Sequence, residues 1–224
     1  MWPFGALFNL ICPPICVVCQ GVPAPWDPYL CPECLAEIWR KAERYGRCEE
    51  VPFVSWMGWL GSYEGPIRAA IHEMKFGGRK GLARHLGWLL GRRLPPSVPR
   101  PRLLVPIPSW RGTERKRGFN QALEIARGLG AEWGVPVRAD VLRKVRPTRP
   151  QRSLSLVERG TNVRDSFALN APLAVRGHRV GLVDDVFTTG ATLTAAARLL
   201  HAAGARELVV FVVGRTPRDC SPAR

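Results

Sequence analysis

Two groups of side chains in this 224-residue sequence have types and spacing suited to chemistry, and they lie toward opposite ends of the chain. Toward the C-terminus, Val180 to Leu193 reads VGLVDDVFTTGATL. An apolar strand there delivers Asp184 and Asp185 to its carboxyl end, where open α/β sheets bind ligands. Thr188, Thr189, Gly190, Ala191 and Thr192 then turn into a helix. The first N–H groups of that helix, helped by threonine hydroxyls, form an anion hole for a phosphate monoester. Gly190 lets the backbone approach that phosphate closely. The carboxylates, a sugar ring away, can accept hydrogen bonds from vicinal hydroxyls. Phosphate at one end and diol at the other describe a ribose 5-phosphate. An acid such as Asp185 can also act as a purely structural helix cap; the complete run is what selects the ligand.

The second group is made of cysteines. Cys16 and Cys19 form one C-x-x-C, Cys31 and Cys34 another, Cys12 and Cys48 flank them, and Cys220 is remote. A C-x-x-C turn aims two thiolates at one point about 2.3 Å from a zinc ion, and two turns complete a closed tetrahedral site. Such a site is structural. The spacing predicts Cys16, Cys19, Cys31 and Cys34 as the ligands, with the 11-residue spacer looping out through Pro23, Pro25 and Pro28 without a helix of its own. A redox dithiol or reduced core cysteines is the alternative. Cys12 and Cys48 are alternate ligands, and Cys220 is a bystander.

The elements that must position these groups follow from apolar patterning. Val51 to Tyr63 is rich in β-branched and aromatic residues and reads as a strand or strand pair. Ile67, Ala70, Ile71 and Met74 have helical spacing, Lys75 to Lys80 breaks the pattern, and a second helix runs from about Leu82 to Leu94. Leu103 to Ile107 reads as a buried strand, Asn120 to Trp133 as a helix and Val141 to Val145 as another strand. Residues 146–164 read as a basic loop with a short helix. A strand ending in the two acids, a helix with Leu193, Ala197 and Leu200 on one face, and the apolar ELVVFVVG complete the pattern. Strand, helix, strand with continuous apolar strands predicts a doubly wound parallel α/β sheet. The boundary with the cysteine module falls near residue 50, giving residues 10–50 and 51–224.

Composition bounds the rest. Apolar residues are 46% and charged residues 23%, which excludes a disordered or fibrous chain, while 33 Lys+Arg against 18 Asp+Glu leave +15. Such a charge favours an anionic partner. The first 26 residues carry no charged side chain, but Pro3, Pro13, Pro14, Pro23 and Pro25 would break a spanning helix, so neither export nor membrane insertion is expected and the chain reads as cytoplasmic. His72, His85, His178 and His201 have no metal or relay spacing and read as filler. No Ser-His-Asp order, Walker loop or G-x-G-x-x-G supports a hydrolase, P-loop ATPase or dehydrogenase.

The run from Val180 to Leu193 resembles the phosphoribosyl pyrophosphate (PRPP) signature of type I phosphoribosyltransferases. The resemblance implies that Asp184 and Asp185 hold the ribose hydroxyls and that Thr188, Thr189, Gly190, Ala191 and Thr192 hold the 5-phosphate. SYEGPIRAAIHEMKFGGRKGLARHLG, VPIPSWRGTERKRGFNQALEIARGLG and LRKVRPTRPQRSLSLVERGTNVRDSF resemble, in order, blocks of the ComF (ComFC, GntX-like) family. That family implies a type I phosphoribosyltransferase fold with a small N-terminal zinc-binding module, and a role in natural transformation and the handling of single-stranded DNA. It departs from the family pattern in lacking a further C-x-x-C, of which only Cys48 remains. Type I enzymes displace pyrophosphate from PRPP with Mg2+ bound, so the resemblance implies Mg2+ as a second cofactor. Ser109, Arg111, Arg115, Lys116 and Arg117 then become candidates for pyrophosphate, and Lys144, Gln151, Arg159 and Asn162 for a closing hood.

Between Arg100 and Arg164 there are 15 basic and 5 acidic residues, so +10 of the +15 sits in this stretch. One PRPP cannot employ that many cations, whereas a nucleic-acid strand can. Arg115, Lys116 and Arg117 are therefore the expected DNA contacts. Trp110 and Phe119 flank them as stacking platforms, with core burial the other expectation for Phe119 and Trp133. Three readings follow: PRPP and single-stranded DNA binding in DNA uptake; an active phosphoribosyltransferase in base or nucleotide salvage; and an inactive PRPP sensor acting on proteins such as a competence helicase or recombination proteins.

Overall fold

A computed structural model describes residues 14–40, 45–146 and 166–217. Its central sheet has five strands: β1 (Tyr45–Arg47), β2 (Val54–Ser62), β3 (Leu103–Pro106), β6 (Arg179–Phe187) and β7 (Glu207–Arg215). Their spatial order is β1-β2-β7-β6-β3. Only the edge pair β1–β2 is antiparallel, so the expected parallel sheet carries a short hairpin at one rim. That hairpin crosses the boundary expected near residue 50. The strand expected at 141–145 is β4 (Leu142–Lys144), which lies outside this sheet and pairs antiparallel with β5 (Phe167–Leu169).

The helices lie on both sheet faces because the strands are apolar on both. Along β7, Val209, Phe211 and Val213 enter one core and Leu208, Val210 and Val212 the other, the two-residue alternation of a pleated strand. The first core takes α2 (Gly65–Phe76), α3 (Lys80–Arg93) and α5 (Gln121–Trp133); the second takes α6 (Ala191–Ala202) and the β4–β5 pair. Helices α3 and α5 pack so closely that a Cβ on Gly128 would lie 1.9 Å from the Arg84 carbonyl oxygen. Glu124, buried at their junction, accepts from Arg84 and Arg127 and pairs with Lys80.

Two short helices were absent from the sequence reading: α1 (Pro32–Arg40), which starts inside the second C-x-x-C and buries Cys34, Leu35 and Ile38 on one face, and α4 (Arg111–Arg117), which has no apolar period. The cysteine module shares the first core, with Cys16, Cys31, Leu30, Leu35 and Ile38 in the same cluster as Leu86 and Leu89. His85, expected as filler, joins the two: its Nε2 is 2.7 Å from Oδ2 of buried Asp27, whose other oxygen accepts the N–H groups of Tyr29 and Leu30. Among the described residues no helix is long and apolar enough to cross a membrane.

Candidate functional site

Strand β6 carries the site because it lies inside the sheet, between β7 and β3, and its carboxyl end leads directly into the threonine loop. Val183 is fully buried and Phe187 nearly so, which fixes the backbone on either side of Asp184 and Asp185. The pleat sends the two acids to opposite faces. Asp184 shares the Leu182 side, toward β4, and feels the Lys144 cation; Asp185 shares the Val183 side, where its Oδ2 lies 2.7 Å from Lys75 Nζ of α2. Sequence reasoning missed Lys75, because it lay where the helical pattern breaks. The break itself, KFGGRK, was the available signal.

The carboxylates differ in ionisation. Burial first, then the neighbouring Asp185 charge, pushes the Asp184 carboxyl up to about 7, against the pull of the Asp185 N–H and of Lys75 and Lys144. That N–H donates to Asp184 Oδ1 at 2.8 Å. Lys144 is shifted down by its own burial and held up by Asp184. A half-buried acid with a cation on each side of the pair is placed to exchange ion pairs for hydrogen bonds from a ligand.

Beyond Phe187 the chain turns through exposed Thr188 and Thr189 into Gly190, which caps α6 in the left-handed region at φ 73°. A Cβ on Gly190 would also lie 2.9 Å from the Phe187 ring, so both conformation and space require glycine. Helix α6 is 12 residues long, and its first N–H groups have no intrahelical acceptor. The structure thus brings Asp184, Asp185, Thr188, Thr189, Gly190, Ala191, Thr192 and Lys144 to one end of the sheet. Gln151, Arg159 and Asn162 lie outside the described residues.

The basic run sits at this same edge. Ile107 N–H donates to the Val183 carbonyl, and Asn120, which caps α5, returns its side-chain N–H to the Ile107 carbonyl. Between these anchors stands α4, with no buried residue. Arg111, Arg115 and Lys116 are exposed, while Arg117 donates to Gln121 Oε1 at 3.4 Å and lies 5.7 Å from the Phe76 ring. Phe76, next to Lys75, is 69% exposed, an aromatic the sequence reading passed over. Phe119 is buried, and Trp133 is half-buried edge-on to Phe211.

The sulfur atoms of Cys16, Cys19, Cys31 and Cys34 all lie within 4.8 Å of one another. A zinc tetrahedron with arms near 2.3 Å has edges of roughly 3.8 Å, so the four can hold one metal ion. Burial opposes ionisation of Cys16, yet the backbone N–H groups of Cys19, Val18 and Cys31 bring its thiol down to about 7. Cys48 is buried elsewhere and does not join this cluster. Cys12 and Cys220 lie outside the described residues.

Residues 115–221 match the phosphoribosyl transferase domain family. DNA utilization protein YhgH of Escherichia coli O157:H7 is 31% identical over 213 residues, 90% of each chain. Competence protein F of Haemophilus influenzae is 30% identical over 195 residues, 84% of this chain and 85% of its own. Among solved structures, glutamine phosphoribosylpyrophosphate amidotransferase from B. subtilis, complexed with ADP and GMP, matches 64% of this chain and 30% of its own at 21% identity and a TM-score of 0.44. With a relationship that spans nearly its whole length, and with the acid pair and threonine loop inside the matched domain, this chain belongs to the ComF family of YhgH and competence protein F.

Proposed function

We propose that this chain binds PRPP or a related ribose 5-phosphate at the end of β6 and single-stranded DNA along α4, and that it serves DNA uptake in natural transformation. The observation that carries the reading is the union, on one strand end, of an acid pair flanked by Lys75 and Lys144 with a glycine-capped helix start. Asp184 and Asp185 would accept from the ribose hydroxyls, and Thr188 to Thr192 would hold the 5-phosphate. Lys75 must swing off Asp185 as the sugar enters. Lys144, Ser109 and Arg111 would meet the pyrophosphate. The names of the relatives, DNA utilization protein and competence protein F, support the DNA-uptake role and with it a cytoplasmic location.

Carboxylate oxygens beside a phosphate-bearing ligand suit Mg2+, which takes one or two carboxylates together with substrate phosphates. The ion would supply charge neutralisation for pyrophosphate. The four cysteines suit zinc, held as a closed structural site in a module of residues 10–50 ahead of the phosphoribosyltransferase-like body at 51–224. A salvage transferase is the second reading, favoured by the cations either side of the acid pair, which would stabilise a departing pyrophosphate.

Calorimetric titration with PRPP and anisotropy with a fluorescent (dT)20 test the proposal together. Wild type should bind both. Absence of PRPP binding in the presence of Mg2+, or DNA binding no better than that of a neutral control protein at physiological salt, would overturn the corresponding half. Release of pyrophosphate with any base from a panel would select the transferase reading.

A further inference from the structure

A second surface, away from the strand end, combines aromatic faces with cations. Helix α1 of the cysteine module and helix α3 of the body border a groove of about 380 Å3, lined by Trp26, Trp39, Trp88, Arg92 and Arg93 among others. That volume lies in the range of small-ligand sites. Three of the chain's eight tryptophans gather here. Trp26 is 70% exposed and Trp39 38%, a large apolar area for a surface to leave in water.

Helical spacing builds one wall. His85, Trp88 and Arg92 fall on one side of α3, with the His85 and Trp88 rings stacked at 5.4 Å and the Arg92 guanidinium 4.9 Å above Trp88. Arg93 lies 5.3 Å from the Trp39 ring and donates through Nη2 to the Trp39 carbonyl at 3.2 Å. Its Nε is buried and has no acceptor among the described residues. A buried donor without an acceptor is costly, and only a shift of the Arg93 side chain would open it to a ligand oxygen. The one acid in the lining, Asp27, is already engaged by His85 and two backbone N–H groups. The groove therefore offers net positive charge beside the largely exposed Trp26 and the partly exposed Trp39.

We infer that this groove is a second contact for single-stranded DNA, with bases stacked on Trp26 and Trp39 and backbone phosphate on Arg92 and Arg93. The inference rests on the reading that the chain handles single-stranded DNA and names a surface that reading does not include. Stacking on aromatic side chains with cations tracking the backbone is the physical pattern of sequence-tolerant strand binding. A duplex cannot use it, because its bases already stack on one another. An acidic peptide could meet the arginines but would leave the indole faces exposed.

The test compares full-length, zinc-loaded wild type with Trp26→Ala/Arg92→Ala and with Arg115→Ala/Lys116→Ala/Arg117→Ala. All these changed side chains except Arg117 are exposed, and zinc content and circular dichroism verify the fold. Binding of (dT)20, a 20-base-pair duplex, poly-Glu and ribose 5-phosphate is measured for each. The groove variant should bind (dT)20 about tenfold more weakly and ribose 5-phosphate as wild type does. Crosslinking of a 5-iodouracil oligonucleotide to wild type should give adducts at Trp26 or Trp39. If the groove variant binds (dT)20 normally while the α4 variant loses it, or if adducts fall only within residues 111–117, the groove assignment fails and the DNA reading stands. Equal affinity for duplex, or a poly-Glu affinity that alone drops in the groove variant, also overturns the assignment. If wild type binds no DNA, the DNA reading itself fails and the groove assignment with it.

Discussion

The end of β6 and helix α4 lie side by side at one edge of the sheet, yet they are built in opposite ways. Asp184 and Asp185 stand between buried Val183 and Phe187, and the loop that follows is fixed by Gly190 against the Phe187 ring. Helix α4 has no buried residue and presents Arg111, Arg115 and Lys116 to water. One region holds its groups in fixed positions and carries almost no net charge, since each acid has a lysine near it. The other carries concentrated positive charge on a helix that buries nothing. The difference teaches why a net charge of +15 says so little about the end of β6. A charged surface acts over a Debye length and fades with salt, whereas hydrogen bonds from a preset cradle do neither.

The largest effect expected from breaking this contrast is at the acid pair. Asp184→Asn/Asp185→Asn keeps the shape and removes both anionic acceptors, so affinity for ribose 5-phosphate should fall by more than about 100-fold, at roughly 1.5–3 kcal/mol for each charged hydrogen-bond partner. Binding of (dT)20 should change little; a comparable loss there would mean that the two regions are not separate. Next comes Arg115→Ala/Lys116→Ala/Arg117→Ala. It should weaken (dT)20 about tenfold at 0.1 M salt and lower the slope of log K against log salt by about 2, the value for three lost single-strand phosphate contacts. An unchanged slope would remove α4 from the DNA path. Arg117 should contribute least of the three, because it is already engaged with Gln121 and Phe76.

Gly190→Ala sharpens the comparison from the stability side. A left-handed residue with a Cβ costs about 1–2 kcal/mol, and the 2.9 Å approach to Phe187 adds to that. Chemical denaturation should register a loss of about 2 kcal/mol together with weaker phosphate binding. Gly118→Ala is the matched control in α4: it shares the positive φ, at 80°, but a Cβ there meets nothing within 4 Å. It should cost less and leave phosphate binding alone. Equal costs at the two sites would refute the cradle geometry.

The contrast also decides what sequence could reveal. Strands β3, β6 and β7 and helices α2, α3, α5 and α6 were legible because burial on a fixed face forces a period on the residues. The acid pair and threonine loop were legible because a tight turn from a strand end into a helix sets narrow steric demands, as Gly190 shows. Helix α4 was not, since a helix that buries nothing leaves no apolar period in RGTERKR. Lys75, Phe76 and the Asp27–His85 bridge were also invisible. Each depends on where two distant segments meet, and 58 positions separate Asp27 from His85. The tryptophans of the α1–α3 groove have the same origin, gathered from Trp26, Trp39 and Trp88 by packing rather than by spacing.

The smallest effect, and the most direct measure of how the β6 end is tuned, is the titration of Asp184. Its carboxyl is raised to about 7 by burial and by Asp185. In the unfolded chain it titrates near 3.9, so between about pH 4 and 7 the folded state holds a proton that the unfolded state has lost. Stability must then fall as pH rises through that window, and the full cost of the buried charge is present above 7. Asp184→Asn removes the charge and the slope. Between pH 6 and pH 8 the variant should gain about 3–6 °C on wild type, roughly 1.4 kcal/mol for the one unit that separates pH 6 from the folded value. Ribose 5-phosphate should narrow that gap in wild type at pH 8, because hydroxyls that donate to the carboxylate stabilise its charged form. Melting curves that stay parallel from pH 5 to 8 would show that Asp184 is ionised throughout, and the acid pair would then lose its asymmetry.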